Sequence, residues 1–215
     1  MFSNFISDRN KASAEFQVAF GKRLSIESAR KRFKEAVLRD LSEGVSLRGK
    51  AKGIHEVLKP TNATAEQVAE VVTIASSAAI GSYRGKELEL ICEELGASLE
   101  KKFPGLRSIR QADDETQKLF QKADLQLILP NGKILNFAIQ INLWGGGAQA
   151  QRGSDYIKKC ATDESFYCII SDPVPAKQLL SKNKNKIKSL FKPLLSRCGM
   201  IYATELEKVV LDHMT

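Results

Sequence analysis

The sequence predicts an α/β (α+β) chain in which a small mixed sheet follows a helical N-terminal segment. Three observations carry this. Apolar residues recur at helical spacing through the first hundred positions. The period then changes from 3.6 to 2 near residue 123. After that, short apolar runs alternate with helical ones up to the last residues.

Residues 11–46 read as helical. In "SIESARKRFKEAVLRDLSEG", Ser25 or Ser28 is the cap candidate. Ala29, Phe33, Val37 and Leu41 recur every four residues, and Gly44 ends the run. "LRGKAKGIHEVLKPTNAT" holds a second short helix, and Pro60 to Thr64 is the best internal joint. Thr64 caps "AEQVAEVVTIASSAAIG", with Glu66 near the capping-box position and Gly81 as its stop. In "SYRGKELELICEELGASLEKKF", Leu88, Ile91, Leu95 and Leu99 line one face, and Pro104–Gly105 ends the helix. Residues 106–122 read as an irregular loop.

"ADLQLILPNGKILNFAIQINL" reads as two strands around Pro130-Asn131-Gly132-Lys133, since Asn-Gly is a strong hairpin signal. "SDYIKKCATD" is a short helix, "SFYCIISD" a strand apolar enough to be central, and "KNKNKIKSLFKPLLSRCG" a basic helix or loop-helix. "GMIYAT" is a short strand, and "ELEKVVLDHM" a closing helix.

The chain has 215 residues, 43% of them hydrophobic and 27% charged, so it is long enough for one full domain, or for one domain and a small appendage. No apolar run reaches transmembrane length, and "MFSNFISDRNK" lacks the features of a signal peptide. Cys92, Cys160, Cys168 and Cys198 show no zinc or CxxC spacing, so they are expected as buried free thiols in a cytoplasmic protein. With His55 and His213 as the only histidines, histidine-based metal or triad chemistry is not expected.

The net charge of +8 is uneven, with 13 Lys+Arg against 7 Asp+Glu in residues 1–60. From Pro173 to Thr204 there are seven basic residues and no acidic one. Basic segments at both ends suggest a polyanionic partner, nucleic acid before membrane.

The hairpin carries the chemistry. Phe137, Ile139, Ile141 and Leu143 share one face of its second strand. Asn136, Ala138, Gln140 and Asn142 share the other. On the first strand Leu125, Leu127 and Leu129 face the core, opposite to Asp124, Gln126 and Ile128. A three-residue loop at Asn131-Gly132-Lys133 would set Asp124 directly across from Gln140. That is the layout of a phosphodiesterase metal site. Mg²⁺ takes carboxylate oxygens held on a rigid frame, polarises the scissile phosphate and activates a water. Glu89, on the preceding helix, is the candidate third ligand. Each residue also has a plain structural reading: Asp124 as a strand-start cap, Gln140 and Asn142 as solvent-facing polar residues, Glu89 as one acid among several on its helix.

At these residues the chain resembles the PD-(D/E)xK nuclease fold of type II restriction endonucleases. "RGKELE", from Arg84 to Glu89, is similar to the G-K-x-hydrophobic-E opening of the first core helix in Mbo/Dpn-type enzymes. "IQINLWGGGAQAQRGSDY", from Ile139 to Tyr156, is similar to their (I/V)ExNFYxGGGSK signature. The resemblance covers roughly Gly81 to Asp172. It implies a restriction-endonuclease-like mixed sheet flanked by helices, with a basic helical segment at 1–62 and a nuclease-like core at 63–215.

The implied activity is Mg²⁺-dependent, site-specific cleavage of duplex DNA by a homodimer, since palindromic sites favour two-fold symmetry. Asp124, Gln140 and Glu89 fall at the implied metal positions, and Asn142 where a lysine steadies the attacking water. Two departures stand out. The family's glutamate falls on Gln140, a neutral amide, so one reading is an inactive Glu-to-Gln form. Ala148-Gln149 replaces Ser-Lys, with Arg152 and Lys158 as substitute cations. Gly145, Gly146 and Gly147 would let the backbone approach DNA, and Gln149, Gln151 and Arg152 would reach base edges. The rivals are a non-catalytic DNA-binding protein with a degenerate nuclease site, and a toxin-like or repair nuclease without sequence specificity.

Overall fold

The computed structural model describes residues 2–110, 123–143, 148–174 and 199–214. In order, these form α1 (Phe2–Leu24), α2 (Ile26–Ser42), α3 (Gly49–Leu58), a 3₁₀ turn (Lys59–Thr61), α4 (Ala65–Ala75), α5 (Ser77–Lys102), β1 (Arg107–Arg110), β2 (Leu125–Ile128), β3 (Ile134–Gln140), α6 (Ala148–Thr162), β4 (Phe166–Ile170), β5 (Met200–Tyr202), a second 3₁₀ turn (Ala203–Glu205) and α7 (Leu206–Met214). They fall into two compact units, one of residues 1–20 with 88–215 and the other of residues 21–87. No helix among the described residues is long and apolar enough to cross a membrane.

The first unit is built on a five-stranded mixed sheet in the order β1-β2-β3-β4-β5. The first three strands are antiparallel neighbours, and β4 and β5 continue parallel to β3. A parallel neighbour needs a crossover connection, which α6 supplies between β3 and β4. β4 is buried along its whole length, as expected for a central apolar strand.

Period-two alternation divides the side chains between two helical layers. On one face Tyr167 stacks with Phe137 at 5.6 Å and meets His213 of α7 edge-on at 5.9 Å. α5 covers the same face, and at Gly96 it comes so close that a Cβ there would collide with the Ser108 side chain of β1. On the other face Tyr156 of α6 stacks on Phe166, and Phe16 of α1 lies 5.6 Å from Tyr202. Arg9 of α1 forms a two-pronged ion pair with Glu205, each prong 2.7 Å, and also donates to the Met200 carbonyl.

The second unit is helical. Ser25 caps α2 by accepting from the Ser28 N–H, and Gly44, at φ 67, ends it. Val37, Leu47, Val68, Ala69 and Val72 form its core, with Phe33 and Leu41 packed against them. Buried Glu87 accepts from Arg23 at 2.7 Å and lies 3.2 Å from Arg32.

Four local expectations are corrected. The helical stretch read from residue 11 to 46 starts at Phe2 and stops at Ser42, while Ser25, one of the two cap candidates, does open a new helix at Ile26. The capping-box partner of Thr64 is Gln67, not Glu66, since the third helical position is the one that reaches back to the cap N–H. Gly81 is no stop: the chain breaks at Ser76 (φ −116, ψ 56), and α5 runs through Gly81. Residues 107–110, read as loop, form β1, because pairing with β2 supplies backbone bonds that a polar tetrapeptide does not advertise.

Candidate functional site

The site is set by the β2–β3 turn. Leu129 donates to the Lys133 carbonyl at 2.8 Å, and Gly132 to the Leu129 carbonyl at 2.9 Å. The three-residue loop is therefore Pro130-Asn131-Gly132, one residue earlier than the sequence suggested. The physical reasons are local. Proline's fixed φ suits the first central turn position, the Asn131 side chain accepts from the Lys133 N–H at 3.1 Å, and Gly132 takes the left-handed position at φ 82. Asn131 also donates to the His213 carbonyl, and Lys133 Nζ meets His213 Nδ1 at 2.7 Å, which ties the turn to α7.

The shift moves the register. Leu125 pairs with Phe137, so Asp124 stands opposite Ala138 rather than Gln140. The Asp124 N–H donates to the Phe137 carbonyl at 2.8 Å. Its carboxylate Oδ2 accepts from the Ile139 N–H at 2.6 Å. Because the displacement is two residues, the parity is kept: Asp124 and Gln140 share a face as diagonal neighbours, within reach of long side chains. On that face Gln126, 2% exposed, donates to Asn136 at 2.8 Å, a cross-strand pair that closes the polar row behind Asp124.

Burial raises the Asp124 carboxyl above the ordinary carboxylate range, and the Ile139 hydrogen bond offsets this only in part. No cation among the described residues contributes to that balance. Glu89 lies half-buried on α5. Burial first, then Glu93, Asp124 and Glu89, push the buried Cys92 thiol far up, but α5 packs on the face of Leu125 and Phe137, opposite to the face that Asp124 shares with Gln140, so the fold does not bring Glu89 onto that face. Cys92, Cys160 and Cys168 are buried thiols, in no disulfide among the described residues.

Gln140 closes β3 opposite Ile170 of β4 and is half-buried. Two residues on, Asn142 Nδ2 donates to Asp172 Oδ2 at 3.4 Å. Asp172 is held there by its own N–H, which donates to the Ile141 carbonyl at 2.9 Å. Sequence reasoning missed Asp172. The signal was present, because an acid directly after an apolar parallel strand lies at the carboxyl end of the sheet, where open α/β sheets place ligands.

Of the residues named for DNA contact, Gly145, Gly146 and Gly147 lie outside the described residues. So do the basic 182–197 segment and Cys198. Gln149, Gln151 and Arg152 belong to the first turns of α6, and Lys158 is exposed further along it.

The oxygen donors present suit a hard cation such as Mg²⁺. A half-buried carboxylate with no compensating cation among the described residues is one that a metal ion would stabilise, and Gln140 offers an amide oxygen on the same face. The set is short of charge. Among the described residues no group of three or more His, Cys, Asp or Glu side chains is placed to hold a metal. No protein-family model, curated protein or solved structure matches the chain.

Proposed function

We propose that this chain binds duplex DNA and is a restriction-type endonuclease whose Mg²⁺ site is weakened by the amide at Gln140. The observation that carries the reading is the shared face of Asp124 and Gln140, on a hairpin preceded by a helix and followed by a parallel crossover. Asp124 would supply a carboxylate to the metal, and Gln140 its amide oxygen. When bound, Mg²⁺ polarises the scissile phosphate and lowers the pKa of a bound water. The Ile139 N–H fixes the Asp124 carboxylate against β3. Asn142, held toward Asp172, orients a water but supplies no positive charge. The protein acts as a dimer in the cytoplasm, with Lys158, Arg152 and the basic N-terminal segment along the phosphates.

The neutral pair of Gln140 and Asn142 favours a second reading, a DNA-binding protein with a degenerate site. Plasmid cleavage with Mg²⁺, for the chain and for Gln140→Glu, separates the two. Discrete fragments from the variant support the endonuclease. Salt-sensitive binding without cleavage by either protein supports the binding protein. A smear indicates a nuclease without sequence specificity.

A further inference from the structure

The closing helix and the hairpin turn meet at a histidine whose two ring nitrogens are both engaged. His213 sits in the last turn of α7. Its Nδ1 lies 2.7 Å from Nζ of Lys133 in the β2–β3 turn, and its Nε2 lies 2.6 Å from the Tyr167 hydroxyl of β4. The nuclease reading uses none of the three.

The tautomer follows from counting donors. A lysine ammonium has three N–H groups and no acceptor, so it donates and Nδ1 accepts. The neutral ring then carries its proton on Nε2, which donates to the Tyr167 oxygen. Tyr167 is a fixed point. It is 8% exposed, stacks with Phe137 and stands edge-on to the imidazole. Lys133 is half-buried at the end of a turn, and its long side chain can carry the ammonium out to water.

A proton on Nδ1 is incompatible with this contact. The ring would become a cation with two donors and no acceptor, 2.7 Å from an ammonium. The end of α7 favours that cation, because the last carbonyls of a helix attract positive charge. Lys133 opposes it. The other charged groups on the elements around the ring are Asp212, Lys208 and Glu207 of α7, the last paired with Lys102 of α5, and Asp163 and Glu164 ahead of β4. Asp163 is turned to the Ser165 N–H at 2.9 Å. β2 and β3 carry no titratable side chain.

We propose that His213 is a pH-sensitive latch between α7 and the hairpin. Neutral, it holds Lys133 and fixes the turn against the helix. Protonated, it expels Lys133 to solvent, and the turn keeps the Asn131 bond to the His213 carbonyl at 3.0 Å. The turn closes the hairpin that carries Asp124 and Gln140 at its open end, so the latch acts on how firmly that strand pair is closed.

The test is NMR on the full chain between about pH 5 and 8, a range that spans the titration of histidine above that of ordinary carboxylates. Proton–nitrogen correlations of the ring report its tautomer and its titration. The signals are assigned by their loss in His213→Gln, since His55 is the other histidine. Deuterium exchange of the Leu129 and Gly132 N–H groups, which close the turn, reports its opening. At the alkaline end the proton should sit on Nε2 and not on Nδ1. As the ring takes up its second proton, exchange of both amides, corrected for its intrinsic pH dependence, should rise about tenfold or more, the loss of one charge-assisted bond. Lys133→Met keeps the aliphatic stem and removes the cation. In that variant exchange should be fast throughout, without the step, and the ring should protonate at higher pH than in the parent. A proton on Nδ1 at the alkaline end, turn exchange that stays flat across the titration of the ring, or a ring midpoint that does not rise in Lys133→Met would overturn the proposal. The first two are read on the parent chain and stand whether or not the variants fold. None of these outcomes depends on cleavage by the Asp124 site.

Discussion

Replacing Gln140 by glutamate tests the metal reading by stability, without reference to cleavage. The variant sets a second carboxylate diagonally across from Asp124, on the same face of the hairpin. Diagonal neighbours are about 7 Å apart, and two unit charges at that distance repel by about 2 kcal/mol at an effective dielectric of ~20. Gln140 is half-buried, so solvent screening reduces this to about 1–2 kcal/mol. Without divalent cations, Gln140→Glu should therefore be less stable than the parent at neutral pH. The sign follows from linkage. Repulsion raises both folded-state carboxyl pKa values, so the penalty is full above them and vanishes once both groups are protonated. Mg²⁺ should reverse it, since a ligand at ten times its Kd adds about 1.4 kcal/mol and at a hundred times about 2.7 kcal/mol. Urea unfolding in EDTA and in Mg²⁺ measures both effects, with Gln140→Leu as the uncharged control. If Gln140→Glu is as stable as the parent in EDTA, or gains no more from Mg²⁺ than the leucine control, Asp124 and residue 140 do not share a cation and the metal reading fails.

Three further outcomes are expected. Arg9→Ala leaves Glu205 without its two-pronged partner in a setting where the side chains are 11% and 17% exposed, and should cost about 3 kcal/mol. A double-mutant cycle with Glu205→Gln should return a coupling above about 1 kcal/mol, and a smaller value would place the stabilisation in packing instead. Asp124→Asn keeps an acceptor for the Ile139 N–H but removes a carboxyl whose pKa burial raises. The folded parent holds its proton to higher pH than the unfolded chain, so its stability falls as pH rises through the folded pKa and stays lower above it. The variant should show a flatter profile and greater stability at pH 7, read from unfolding midpoints between about pH 3 and 7, and an unchanged profile would mean that the carboxylate is compensated. Thr73→Val removes a hydroxyl that is buried without a hydrogen-bond partner among the described residues, and should add about 1 kcal/mol in urea unfolding, whereas a loss would reveal a partner.

The elements with strong periodicity were legible in the sequence. Leucine alternation around Asn131-Gly132 gave the hairpin, and the apolar run at 166–170 gave a central strand. What was missed depended on competition or on distance. A three-residue loop at Asn131-Gly132-Lys133 and a two-residue turn at Asn131-Gly132 were both open in the sequence, and the loop that forms is neither, starting one residue earlier at Pro130. Proline's fixed φ and the Asn131 bond to Lys133 decided the other way. β1 is "RSIR", with one apolar residue, and only its pairing with β2 makes it a strand. The joint at Ser76 lacks glycine and proline and so carries no punctuation. Asp172 lies thirty residues from Asn142 in the chain, and only the parallel pairing of β3 and β4 brings them together.

The turn shift changes what Asp124 is for. Directly opposite Gln140 it would have faced another polar side chain. Opposite Ala138 it faces a methyl group, and its carboxylate turns along β3 to the Ile139 N–H. That bond is the strand-start cap that stood as the plain alternative to a metal ligand. The two roles do not exclude each other. The cap engages Oδ2 and fixes the direction in which the carboxylate points, while partial burial, with no cation among the described residues to offset it, raises the pKa of the carboxyl. A purely structural residue gains nothing from that cost, since asparagine would accept the same N–H without it. On the proposed reading, a cation at Asp124 would offset that cost, and residue 140 is the diagonal neighbour that would supply the second donor.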